Sequence, residues 1–210
     1  TYEEQNNTAL NPYLAFPGDE VEYDWVVQHN GADDKSSYCF RMVEADGQLF
    51  DGYINYPVLR TVGYDPRVLD WRWYDDELNT TPTTPLALEN VSPADIQNQN
   101  TLKLRVVVKE SSGADGNNAK FVLQYSQYAD FSAEVATATP IATCAENSLW
   151  CYDDGAGVDN AVIPATVISS ADACPNGCGT FNESTSTVAT TFDHLAFAAS
   201  EFEFTVKHAG

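Results

Sequence analysis

Basic residues are scarce in this sequence. Ten Lys and Arg stand against 31 Asp and Glu in 210 residues, a formal net charge of −21. Affinity for nucleic acid depends on basic side chains that neutralise phosphates. This charge therefore excludes a nucleic-acid partner and disfavours an anionic membrane surface. Long apolar runs are missing too, so no transmembrane span is expected. No charged leader with an apolar centre opens the sequence, which begins at Thr1 and reads as a processed chain or a window of a longer one. Helix-forming runs with apolar residues at i, i+3 and i+4 are lacking, and Met occurs once. No Ser sits in a Gly-x-Ser-x-Gly elbow, so the sequence offers no arranged hydrolytic nucleophile, and no enzyme is expected.

What is present favours pleated structure. There are 11 Tyr, 10 Phe and 4 Trp, and Thr and Val are frequent. Aromatic and β-branched side chains suit half-buried sheet surfaces. The clearest pattern occurs twice. Leu14-Ala15-Phe16 recurs as Leu195-Ala196-Phe197, and after a loop shortened by two residues Glu22, Val27, His29 and Gly31 recur as Glu201, Val206, His208 and Gly210. Between them Tyr23 is matched by Phe202 and Trp25 by Phe204. The chain thus reads as one repeat of about 180 residues plus the first strands of the next.

Taken in order, Val21–Gln28 alternates, with Val21, Tyr23, Trp25 and Val27 on one face, and predicts a strand buried on one side. His29–Lys35 predicts a hairpin loop and Ser37–Val43 its return strand, with Leu49–Tyr56 and Val58–Val62 as further short strands. The first module spans residues 1–65. A second, residues 66–194, opens with Val68–Tyr74. Its strongest strand is Thr101–Lys109, predicted with Leu102, Leu104, Val106 and Val108 inward and Lys103, Arg105, Val107 and Lys109 outward. Lys120–Tyr128, Glu134–Thr143 and Thr187–Phe192 are further strand candidates. Residues 195–210 form the repeated linking strand. Short strands with frequent turn signals predict an all-β chain of two immunoglobulin-like antiparallel β-sandwich modules, followed by a C-terminal strand that begins the next repeat.

The copy that ends at Gly210 has no return strand after it. Phe202, Phe204 and Val206, like Tyr23, Trp25 and Val27, are therefore predicted to be an assembly strand needing cover from another copy. Head-to-tail contacts that do not close produce open filaments.

Other candidate sites are weaker. Cys144, Cys151, Cys174 and Cys178 lie in Gly- and Asp-rich loop sequence, and their spacing is looser than that of usual zinc pairs. Turns favour disulfides Cys144–Cys151 and Cys174–Cys178 over the other connectivities, which implies an oxidising, extracellular compartment. Cys39 is left over, as a free thiol or an inter-module bridge. Asp153, Asp154 and Asp159 crowd a Gly-rich loop. Calcium takes about six to eight oxygens from such loops, but the spacing matches no EF-hand, and a solvated acidic loop is the alternative. His29 and His208 hold one repeat position, and His194 has no counterpart. Trp71, Trp73 and Tyr74 with Arg72 suit a sandwich core or a sugar-stacking platform. Asn-x-Ser/Thr matches fall at Asn6, Asn79 and Asn182, with a poorer one at Asn90 because Pro93 follows it.

Tyr38-Cys39-Phe40-Arg41, Arg72-Trp73-Tyr74, Leu102–Val106, Leu123–Ser126 and Ser148–Cys151 carry a likeness. Over most of residues 20–210 the chain resembles the repeat modules of very large surface proteins from uncultured bacteria. The resemblance implies an extracellular, multi-repeat structural or adhesive protein on the cell surface and carries over no catalytic residue. The expected partners are further copies of the chain. The alternative is a monomeric adhesin or carbohydrate-binding module that touches a surface glycan.

Overall fold

The computed structural model describes residues 2–3 (backbone only), 16–145, 148–184 and 192–209. Leu14 and Ala15, the Asn6 sequon and most of the Thr187–Phe192 candidate lie outside these residues. The chain is all-β, with several antiparallel pairings. It divides into two compact units, Thr1–Gly63 and Tyr64–Gly210.

The first unit is thinner than its sequence suggests. Its described residues hold four short strands: β1 (Tyr2–Glu3), β2 (Asp24–Trp25), β3 (Ser37–Cys39) and β4 (Val58–Arg60). The expected hairpin does not form. β3 pairs antiparallel with β4, while β2 pairs in parallel with β1. Thr61 ties the β3–β4 ribbon by accepting from Ser36 N–H and donating to the Asp33 carbonyl. Among the described residues of this unit no hydrophobic side chain is buried. The alternating apolar positions of Val21–Gln28 therefore stay exposed or half-buried among the described residues.

The second unit carries the core. Its strands are β5 (Pro66–Asp75), β6 (Thr101–Glu110), β7 (Gly116–Ala119), β8 (Gln124–Tyr125), β9 (Ala136–Thr137), β10 (Trp150–Tyr152), β11 (Cys178–Asn182), β12 (Phe192–His194) and β13 (Ala199–His208). The main sheet runs β10-β13-β6-β5, and β11 also pairs with β13. The β5–β6 ladder shifts register between Val68 and Trp71, so that Trp71 and Trp73 then lie opposite Val106 and Leu104. β7 pairs with β12 and β8 with β9, each pair a separate two-stranded ribbon. Phe192 from β12, together with Phe121 and Leu123 from the β7–β8 connection, joins Trp71 and Trp73 around Leu104, Tyr152, Phe202, Phe204 and Val206.

The opposite face of the sheet is closed as well, which corrects the expected solvent-facing side of Thr101–Lys109. Lys103, Arg105 and Val107 are fully buried, and only Lys109 of that set keeps partial exposure. Val107 packs with Ile168 and Ala199, and Ile163 with Cys178 and Phe181. Loop segments cover this face: Lys103 reaches the Glu77 carbonyl and Arg105 the carbonyls of Thr80 and Ala165.

Candidate assembly site

The repeated strand occurs in two settings, and they are opposite to the expectation. The C-terminal copy, β13, is neither a separate linking strand nor an exposed one. It is an interior strand of the main sheet. β6 runs antiparallel along one edge, from Ala199 opposite Lys109 to Lys207 opposite Thr101. The other edge is shared: β11 takes the Glu201–Phe204 part in parallel, and β10 takes Val206–His208 antiparallel. β11 approaches closely because Gly179 has no side chain. A Cβ there would lie 2.5 Å from the Phe202 ring and 2.6 Å from the Glu201 carbonyl oxygen. Phe202, Phe204 and Val206 are 1%, 5% and 2% exposed, each burial stabilising the unit by roughly 1.5–3 kcal/mol.

The polar face of β13 encloses an ionic cluster. Arg105 Nη1 donates to Glu201 at 2.9 Å and Nε to Glu203 at 2.6 Å, all three side chains being fully buried. The second oxygen of Glu201 accepts the backbone N–H groups of Val167 and Ile168, both at 2.8 Å. Burial pushes the Glu201 and Glu203 carboxyls up, while Arg105 opposes it. A buried charge must be paired or it costs several kcal/mol. Sequence reasoning missed this cluster because Lys103 and Arg105 alternate with apolar residues, as on a solvated face. The available signal was the complementary alternation, Glu201 and Glu203, on another strand.

Two further networks fasten the entry to β13. Glu110, at the end of β6, accepts from Asp65 N–H, from Ser112 N–H and hydroxyl, from Gly113 N–H and from Phe197 N–H. Burial alone would push this carboxyl up. The hydrogen bonds from Ser112, Phe197 and Gly113 outweigh it and hold the group well below the usual carboxylate range. His194 is fully buried and packs edge-on against Tyr64 and Phe121. Its Nε2 lies 3.0 Å from the Ala198 carbonyl and its Nδ1 2.8 Å from the Tyr64 hydroxyl. A carbonyl only accepts, so Nε2 carries the proton and the Tyr64 hydroxyl donates to Nδ1. Burial lowers the His194 pKa, and it raises that of Tyr64 to about 12.

The first copy lies open. Val21, Val26 and Val27 are 43%, 60% and 59% exposed. Tyr23 and Trp25 are half-buried. Beside the strand end, Val27, His29, Tyr38, Phe40 and Leu59 border a groove of about 640 Å³. In the C-terminal copy the matching His208 meets the Trp150 ring edge-on at 5.1 Å.

The remaining candidates separate. Cys144 is bonded to Cys151 and Cys174 to Cys178, while Cys39 is exposed and free. Asp153, Asp154 and Asp159 do not converge on one point. Among the described residues no group of three or more His, Cys, Asp or Glu is placed to hold a metal. Asp159 instead caps the Glu183 and Ser184 N–H groups and accepts the Ser184 hydroxyl, and Asp153 accepts from Thr101. The Asn182 amide is buried and donates to the Thr180 and Glu203 carbonyls, which removes this sequon from the folded surface. Trp71 and Trp73 pack against the core, with Arg72 over the Tyr74 ring. No helix among the described residues is long and apolar enough to cross a membrane. No family model matches this chain, and neither a curated protein nor a solved structure shows significant similarity to it.

Proposed function

We propose that the chain is a structural repeat of an extracellular, cell-surface filament or stalk, built from tandem immunoglobulin-like sandwiches and joined to its neighbours through the repeated strand. The observation that carries this reading is the contrast between the two copies. The strand pattern around Phe202, Phe204 and Val206 has partners on both edges and is buried, while of the matching residues Val27 stands exposed and Tyr23 and Trp25 are only half-buried. An alternating apolar strand with an open edge invites strand addition. The joint is therefore the N-terminal copy, not the C-terminal one. Two disulfides suit an oxidising compartment. The net charge of −21 keeps long assemblies apart in solution. The role is mechanical rather than catalytic: continuous sheet ladders, a buried ion cluster and disulfides resist extension and proteolysis.

Electron microscopy of native surface material, with an antibody to this chain, tests the reading. Fibres labelled at regular intervals are expected. Label confined to isolated particles, with the chain sedimenting as a discrete monomer at tens of micromolar, would sink it.

A further inference from the structure

The two copies share more than a strand pattern. In the second unit β11 lies parallel to β13, with Phe181 opposite Glu203 and Asn182 opposite Phe204. In the first unit β1 lies parallel to β2, with Tyr2 opposite Asp24 and Glu3 opposite Trp25. The spacing from Tyr2 to Phe181 equals that from Asp24 to Glu203. The sequence around β1, Thr1-Tyr2-Glu3-Glu4, likewise stands at the place of Thr180-Phe181-Asn182-Glu183. Both the residues and the pairing register are therefore repeated. Parallel contact between such short strands, distant in sequence, is a specific arrangement, since a slip of one residue would turn every side chain to the other face.

We propose that residues 1–31 are the closing segment of a second copy of the fold formed by residues 64–208. This rests on the assembly reading above and names its partner. β1 and β2 stand where β11 and β13 stand. The other edge of β2 takes an antiparallel strand of the β6 kind, and its far end takes one of the β10 kind. The register follows from β13. Glu203 lies opposite Arg105 and Phe204 opposite Leu104, so Asp24 lies opposite the partner's arginine and Trp25 opposite its leucine. Glu22 and Asp24 repeat the spacing of Glu201 and Glu203, and together they grip that arginine. Val206 lies opposite Tyr152, so Val27 meets a tyrosine. His29, which borders the groove beside Tyr38 and Leu59, takes the place of His208 against a tryptophan equivalent to Trp150. Val27, now exposed, and Tyr23 and Trp25, now half-buried, then become core, as Val206, Phe202 and Phe204 are in the second unit.

The test keeps the whole chain and supplies the missing partner. A chain in which the sequence of residues 64–179 is repeated directly ahead of Thr1 is compared with the original by hydrogen exchange. In the original, amides of residues 22–28 are expected to exchange rapidly. In the extended chain they are expected to slow by about a hundredfold or more. Trp25→Asp with Val27→Asp in the extended chain abolishes the slowing and leaves the amides of β6 and β13 protected. Equal, rapid exchange of residues 22–28 in both chains overturns the proposal, as does slowing that survives the two aspartates. Protection without fibres in native material retains this pairing and removes the filament. Fibres without protection retain the filament and remove this pairing.

Discussion

Arg105→Met replaces a guanidinium with a side chain of similar reach and no charge. Glu201 and Glu203 are fully buried and both accept from Arg105, Glu203 through Oε2, while its Oε1 has no hydrogen-bond partner among the described residues. Removing one partner of a buried ion cluster costs about 3–5 kcal/mol. That is a large share of the roughly 5–15 kcal/mol that holds a domain together. At about 2–4 °C per kcal/mol for a unit of this size, the melting midpoint falls by roughly 6–20 °C. The loss also carries a pH signature. In the variant, burial raises both carboxyls with no guanidinium to oppose it, so the folded state holds protons that the unfolded state has released. Its stability relative to wild type then improves as pH falls from neutral toward the ordinary glutamate value of about 4.3. Urea unfolding followed by tryptophan fluorescence at pH 7 and pH 5 measures both effects, since Trp71, Trp73 and Trp150 border the core. A loss below about 1 kcal/mol, or a gap to wild type that is constant between the two pH values, would refute the argument. Adding Glu203→Met to the variant restores part of the loss. Glu201 has to remain, because it also holds the Val167 and Ile168 N–H groups.

Glu110→Ala leaves the N–H groups of Ser112, Gly113 and Phe197 without their acceptor and destabilises the second unit by on the order of 3 kcal/mol. Because the folded-state pKa of Glu110 is lowered, its contribution is complete above about pH 4.3 and declines below it. Denaturation curves of wild type and variant should therefore converge on acidification from pH 5 to pH 3, and parallel curves would contradict the assignment. Tyr64→Phe removes the hydroxyl that donates to His194 Nδ1 and costs about 1–2 kcal/mol by thermal unfolding. In the wild type the His194 ring, followed by proton NMR, titrates below its ordinary value of about 6.5 because burial disfavours the charged form. Titration at or above that value would show that the ring is not enclosed.

Local chemistry was legible from the residues alone. Period-two alternation marked Thr101–Lys109 and the C-terminal repeat as strands, since neighbouring side chains on a strand point to opposite faces. The turn Pro175-Asn176-Gly177 placed Cys174 beside Cys178, and the loop between Cys144 and Cys151 is short enough for those two to meet. The repeat of Glu22–Gly31 as Glu201–Gly210 likewise needed no coordinates. Pairing was another matter, because a strand's edge hydrogen bonds carry no record in its own sequence of which strand satisfies them. Ser37–Cys39 pairs with Val58–Arg60 instead of its expected neighbour, and Ala199–His208 is interior, not an open end. The same limit hid the ion cluster. Lys103 and Arg105 look solvated along β6 until β13 sets Glu201 and Glu203 beside them and loops close over the group. The sequence by itself determined that a strand is repeated. Only the tertiary structure decided which copy has its partners, since that depends on contacts between residues a hundred positions apart, such as Leu104 and Phe204.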